Sequence, residues 1–120
     1  MNVAELEGAV LDAAVAKAEG LEFDVKAGLC YTLVDTDQVP EGSWWLPFHP
    51  SSSWFQGGAI IERERITITA KSDYWECSIP LPTEGCEDWC LFIQGPTPLV
   101  AAMRAFVAKK LDENVAEQPK

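Results

Sequence analysis

A single histidine, His49, is all the chain offers as an imidazole base, and it sits between Phe48 and Pro50 in a stretch that reads as loop. Basic residues are scarce as well. Nine of them face nineteen acids, a net charge of −10. That balance disfavours non-specific contact with nucleic acid or an anionic membrane, because both are polyanions. The deficit is sharpest in residues 1–50, where nine acids accompany only Lys17 and Lys26. No apolar run approaches the roughly 20 residues that a membrane-spanning helix needs. The N-terminus carries Glu5 and Glu7 and lacks the basic region of a secretory signal. The expected compartment is therefore the cytoplasm, where cysteines are mostly reduced.

Several chemistries are excluded by what is missing. Neither a Walker pattern nor a dinucleotide fingerprint is present. The four cysteines are Cys30, Cys77, Cys86 and Cys90. Only Cys86 and Cys90 are close, and there is no second tight pair to complete a tetrahedral site. Glu84, Glu87 and Asp88 surround them in sequence, which raises a thiol pKa and opposes nucleophilic use. The reading is thus of no catalytic residue, no metal and no cofactor.

What is there suits one ordinary domain. The 120 residues, 48% hydrophobic and 23% charged, can bury a core without staples. A domain over residues 1–111 and a polar tail over 112–120 are expected. Leu11, Ala14, Val15 and Ala18 recur at helical spacing between Glu7 and Glu19, and Gly20 stands where a left-handed cap belongs. Glu7 as N-cap puts Leu6 and Leu11 at staple spacing; Asn2 is the other candidate start. Cys30 to Val34 reads as a short strand. Asp35 to Ser53, with three prolines, Gly42 and four serines, reads as a loop.

Gly57-Gly58 reads as a turn opening a short helical stretch over 59–65. Ile66 to Ala70 and Tyr74 to Ile79 form a hairpin about Lys71-Ser72-Asp73. Residues 83–90 read as a second acidic loop, and Leu91-Phe92-Ile93 as a last strand. Thr97-Pro98 is the best helix start in the chain, with Thr97 the N-cap. Helix, then strands, then helix predicts an α+β fold: a small antiparallel sheet of three to four strands packed with two main helices.

Three segments carry a resemblance: Leu11 to Gly20, Ser53 to Arg63, and Gly95 to Val107, about a third of the chain. In that order they resemble the NinX-like family of small phage and prophage proteins. The family pattern often has proline where this chain has Ala59. The resemblance implies a phage or prophage origin, a bacterial host cytoplasm and an accessory role, and it implies no reaction.

Candidate binding residues follow from the aromatic cluster and the scattered polar groups near it. Trp44, Trp45, Phe48, Trp54 and Phe55 fall within twelve residues, and large aromatics anchor interfaces. Folding over the sheet to complete a small core is the plainer use of the same side chains. Gly57 and Gly58 would offer N–H groups to an anion, with Arg63 and Arg65 assisting, if they were not simply a turn. Glu62 and Arg63 alternate with Glu64 and Arg65 as a charge-balanced surface. Arg104, the one charge between Leu99 and Val107, is expected to pair within the fold or to hold an anionic ligand.

The leading expectation is a non-enzymatic module that binds a host or phage protein, with the acidic half steering a basic partner. An exposed aromatic patch would serve equally as a homodimer face. The alternative is a ligand-binding protein or enzyme with its site over Trp54–Arg63, using Trp54, Gln56, Gly57, Gly58, Glu62 and Arg63 with Arg104 or His49.

Overall fold

The computed structural model describes residues 3–35, 43–80 and 90–117. A 3-10 turn over Val3–Glu5 leads into α1, Gly8–Ala18. Glu7 stands at its N-cap without a side-chain bond to the helix, as suits a poor capping residue. Leu6 and Leu11 are both buried in the core, as the staple spacing requires. At the far end Gly20 takes φ +76°, and the Leu21 N–H returns to the Ala16 carbonyl at 2.9 Å. This Schellman arrangement stops the helix at the glycine.

Three strands follow: β1 (Phe23–Lys26), β2 (Leu29–Asp35) and β3 (Ser43–Pro47), antiparallel in the order β1-β2-β3. β1 pairs with β2 across a two-residue turn in which Ala27 and Gly28 both have positive φ. Such turns match the right-handed twist of the strands they join. β3 falls in the stretch read from sequence as loop. Its Trp45 pairs with Leu33 and its Leu46 with Thr32.

Helix α2 spans Trp54–Glu64, longer than the turn expected over 59–65. Ser53 caps it, its Oγ accepting the Gln56 N–H at 3.3 Å. Gly57 and Gly58 therefore lie inside a helix, which corrects their reading as a turn. Arg65 closes the helix with a left-handed φ of 58°.

The second sheet is β4 (Thr67–Ala70), β5 (Trp75–Pro80) and β6 (Cys90–Gly95), again antiparallel in chain order. The hairpin and the final strand foreseen from sequence are both present. Helix α3 runs Pro98–Glu117, and Thr97 Oγ1 accepts the Val100 N–H at 3.1 Å as the N-cap. The chain is α+β with antiparallel pairing throughout, as expected. Among the described residues the strands divide between two sheets of three, and α2 joins the two helices foreseen.

α3 lies across β5 and β6, and α1 and α2 pack against it. Phe106, Met103, Leu11, Val15, Cys77 and Ile79 are fully buried where these elements meet. Each such apolar side chain contributes about 1.5–3 kcal/mol on burial. The helix approaches β6 closely at Gly95: a Cβ there would sit 2.6 Å from the Ala101 nitrogen.

No helix among the described residues is long and apolar enough to cross a membrane. Residues 36–42 of the expected loop, residues 83–89 of the acidic loop with Cys86, and the last three residues of the expected tail lie outside the described residues. So does the side chain of Trp44, although its backbone is on β3.

Candidate functional site

The segment from Pro47 to Gly57 is a tightly bonded corner. The Ser52 and Ser53 N–H groups return to the His49 carbonyl at 3.0 and 2.9 Å. Gln56 reaches back from α2 as a clip. Its Oε1 accepts the His49 N–H at 2.7 Å, and its Nε2 donates to the Pro47 carbonyl at 3.0 Å. The His49 ring lies 3.2 Å from Ser52 Oγ through Nδ1. From the other side Asp12 of α1 accepts the Ser51 N–H at 2.9 Å. Gly57 is buried under the corner: a Cβ would collide with the Pro50 carbonyl and lie 2.8 Å from Leu99 Cδ2.

This bonding fixes the start of α2 and with it the aromatic pair. Phe55 is 92% exposed and Trp54 57%. Gly57, two residues beyond Phe55, is turned into the molecule, so Phe55 is turned out. Ala59 and Glu62, four and seven residues on, are also exposed and continue the same stripe. Trp45 and Leu46 on β3 are about half exposed, and Phe48 is partly buried against the core.

Of the remaining polar residues named from sequence, Glu62 is exposed, and the others are held by internal partners. The Gly57 N–H bonds the Ser53 carbonyl at 2.7 Å, so it is not open to an anion. Arg63 donates from Nη1 to Glu19 at 3.0 Å and from Nε to Glu64 at 2.8 Å. Its guanidinium lies 5.5 Å over the Phe106 ring, and those carboxylates raise its pKa further. Lys109 reaches the other oxygen of Glu64 at 2.9 Å. Burial pushes the Glu64 carboxyl up, but the bonds from Arg63 and Lys109 together hold it below its ordinary value.

Arg104 does not join this group. It donates from Nε to the Leu6 carbonyl at 2.7 Å and from Nη1 to the Gln94 carbonyl at 2.9 Å, tying α3 to the N-terminal turn and to β6.

Two hollows accompany these features. One, about 360 Å³, lies between the start of α1, the β1–β2 turn and the corner; Asp12, Cys30, His49 and Ser51 line it. Burial pushes the Asp12 carboxyl up, against the bonds from Ser51 and the charge of His49. Cys30 is pushed up by burial and then by Asp12 and Asp24. A protonated thiol beside a carboxylate is a poor nucleophile. The second hollow, about 530 Å³, is lined by Tyr74, Phe92, Gln94, Gly95 and Arg104 among others.

Sequence reasoning passed over Asp12, Ser51, Tyr74 and Phe92. Asp12 left a trace, as the one carboxylate flanking Leu11 in the apolar stripe of α1. A family model described as bacteriophage P22 NinX matches residues 2–110 of the chain. No curated protein matches it.

Proposed function

The chain belongs to the bacteriophage P22 NinX family, and from that premise we propose that it is a phage accessory protein that binds another protein rather than catalysing a reaction. The observation that carries this reading is the exposure of Phe55 and Trp54 on a helix start that is capped, clipped and buttressed. Large apolar side chains on a rigid element lose little freedom on docking. Burying such a side chain is worth about 1.5–3 kcal/mol, and aromatics of this kind dominate interface energetics.

The partner is a protein with an apolar pocket and a basic rim. The exposed stripe of α2 runs from Phe55 to Glu62, and the chain as a whole carries a charge of −10. Complementary charge would speed the encounter and make it salt-sensitive. The bacterial host cytoplasm is where such a partner would be met. A ligand site or enzyme centre over Trp54–Arg63 has less support, because Gln56 and Arg63 are engaged with internal partners.

The test places a photo-crosslinking residue at position 55 and, as a control, at the exposed Thr69 of the second sheet. A host or phage protein captured at 55 alone, and lost in a folded Trp54→Ala/Phe55→Ala double variant, is the expected result. Equal capture at both positions defeats the reading. So does a crosslink only to a second copy of the chain, with sedimentation showing a dimer that the double variant abolishes.

A further inference from the structure

Arg104 is 7% exposed, and among the described residues no carboxylate lies within ion-pairing distance of it. A buried guanidinium without a counter-charge is costly, and proteins usually pair it. Of its five N–H donors, two are engaged, both by backbone carbonyls. Among the described residues Nη2 has no bond. Yet no fully buried side-chain nitrogen or oxygen among the described residues lacks a partner. Nη2 must therefore reach an accessible surface, and the hollow that Arg104 lines is that of about 530 Å³.

Two of the residues lining this hollow, Tyr74 and Phe92, are aromatic. Phe92 is 62% exposed and Tyr74 is partly so, although each sits on or beside a well-paired strand. Gln94, whose carbonyl accepts from Arg104 Nη1, lines the hollow with Gly95, Pro96 and Asp73. A volume of this size accommodates a small organic molecule or one to two residues of peptide. A single buried guanidinium balances one negative charge. Asp73 and the net charge of −10 weigh against a ligand with more than one.

We propose that this hollow, between the β4–β5 turn, strand β6 and Arg104, is a binding site for a monoanionic carboxylate carried on an aromatic or other flat apolar group. The carboxylate takes the free N–H donors of Arg104, where charge-assisted bonds are strongest. The flat group lies against Phe92 and Tyr74. Such a carboxylate belongs either to a free organic acid or to the C-terminal residue of a peptide.

The experiment titrates the full chain with phenylacetate, phenylacetamide and inorganic phosphate, following the amide resonances of Tyr74, Phe92, Gln94 and Gly95 and the Arg104 Nε–H. Phenylacetate is expected to shift these signals and to bind about tenfold or more tighter than its amide. Phe92→Ala, on an exposed side chain, should weaken phenylacetate by about fivefold with an unchanged melting temperature. A glycine-rich pentapeptide ending in phenylalanine, run as free acid, separates the sources: tighter binding than phenylacetate assigns the site to a peptide terminus, and weaker binding to a free acid. Equal binding of acid and amide, tighter binding of phosphate, or a Phe92→Ala variant indistinguishable from the parent each overturns the proposal. Arg104 also ties Leu6 to Gln94, so these readouts do not depend on an Arg104 variant that folds.

Discussion

The Asp12 carboxylate accepts the Ser51 backbone N–H at 2.9 Å, across 39 residues of sequence. This bond holds the Pro47–Gly57 corner on α1 and, through the corner, sets the start of α2. Removing it in Asp12→Ala leaves a buried N–H unpaired, at about 1–3 kcal/mol by urea unfolding.

The same carboxyl makes a pH prediction. Burial, opposed by the Ser51 bonds and His49, raises its folded pKa above the ordinary 3.8. As pH rises from 3.8 towards the folded value, the unfolded chain releases its proton first. The Asp12 contribution to stability is then largest below 3.8 and falls through that window. Asp12→Asn keeps an acceptor for Ser51 and removes the charge. Its stability relative to the parent should rise between pH 4 and pH 7; a difference that stays flat or falls refutes the burial argument.

Two adjacent glycines should respond with opposite sign. Gly57 faces the Pro50 carbonyl and Leu99, and the corner that carries Pro50 is bonded too tightly to yield. Gly57→Ala should destabilise by about 2 kcal/mol. Gly58 has nothing within 4 Å of a built Cβ. There alanine removes only the entropic handicap of glycine in a helix and should stabilise by about 0.5–1 kcal/mol. Thermal melts of the two variants that move in the same direction would contradict this packing.

That pair also shows what the sequence could and could not disclose. Thr97-Pro98 marked the start of α3 because capping is local chemistry, and the 66–79 hairpin followed from alternation and its turn. Gly57-Gly58 misled because the reason for glycine at 57 is a carbonyl seven residues back that only folding brings near. β3 was hidden by the prolines around Trp44-Trp45-Leu46, whereas the Phe-Asp-Val-Lys alternation of β1 was there to be read. Among the candidate site residues, the oddity of Arg104 within an apolar helix was visible. Its partners, backbone carbonyls at residues 6 and 94, carry no side-chain signature.

The β1–β2 turn should be open to improvement. Ala27 has φ 53° and Gly28 φ 77°, a pair of left-handed positions in which alanine is strained. Asparagine tolerates that conformation and is the preferred first residue of such a turn. Ala27→Asn should stabilise by about 0.5–1 kcal/mol, seen as a higher urea midpoint with an unchanged slope. No gain, or a loss, would mean that the turn geometry is not what limits this hairpin.

Thiol reactivity checks the core of the second sheet. Cys77 is fully buried on the face that α3 covers, its Sγ 3.8 Å from the Pro98 carbonyl, and burial followed by the charge of Glu76 pushes its pKa to about 11. At pH 8 about one thiol in a thousand is then thiolate, and that fraction is shielded from reagent. Cys30 is buried and pushed up as well, whereas Cys90 at the start of β6 is partly exposed. Iodoacetamide on the native protein should therefore label Cys90 well before Cys30 or Cys77, read peptide by peptide in a mass spectrometer. Labelling of Cys77 should wait for global unfolding, its rate rising with urea in step with the unfolded fraction. Labelling of Cys77 as fast as Cys90 in native buffer would mean that α3 does not seal this sheet.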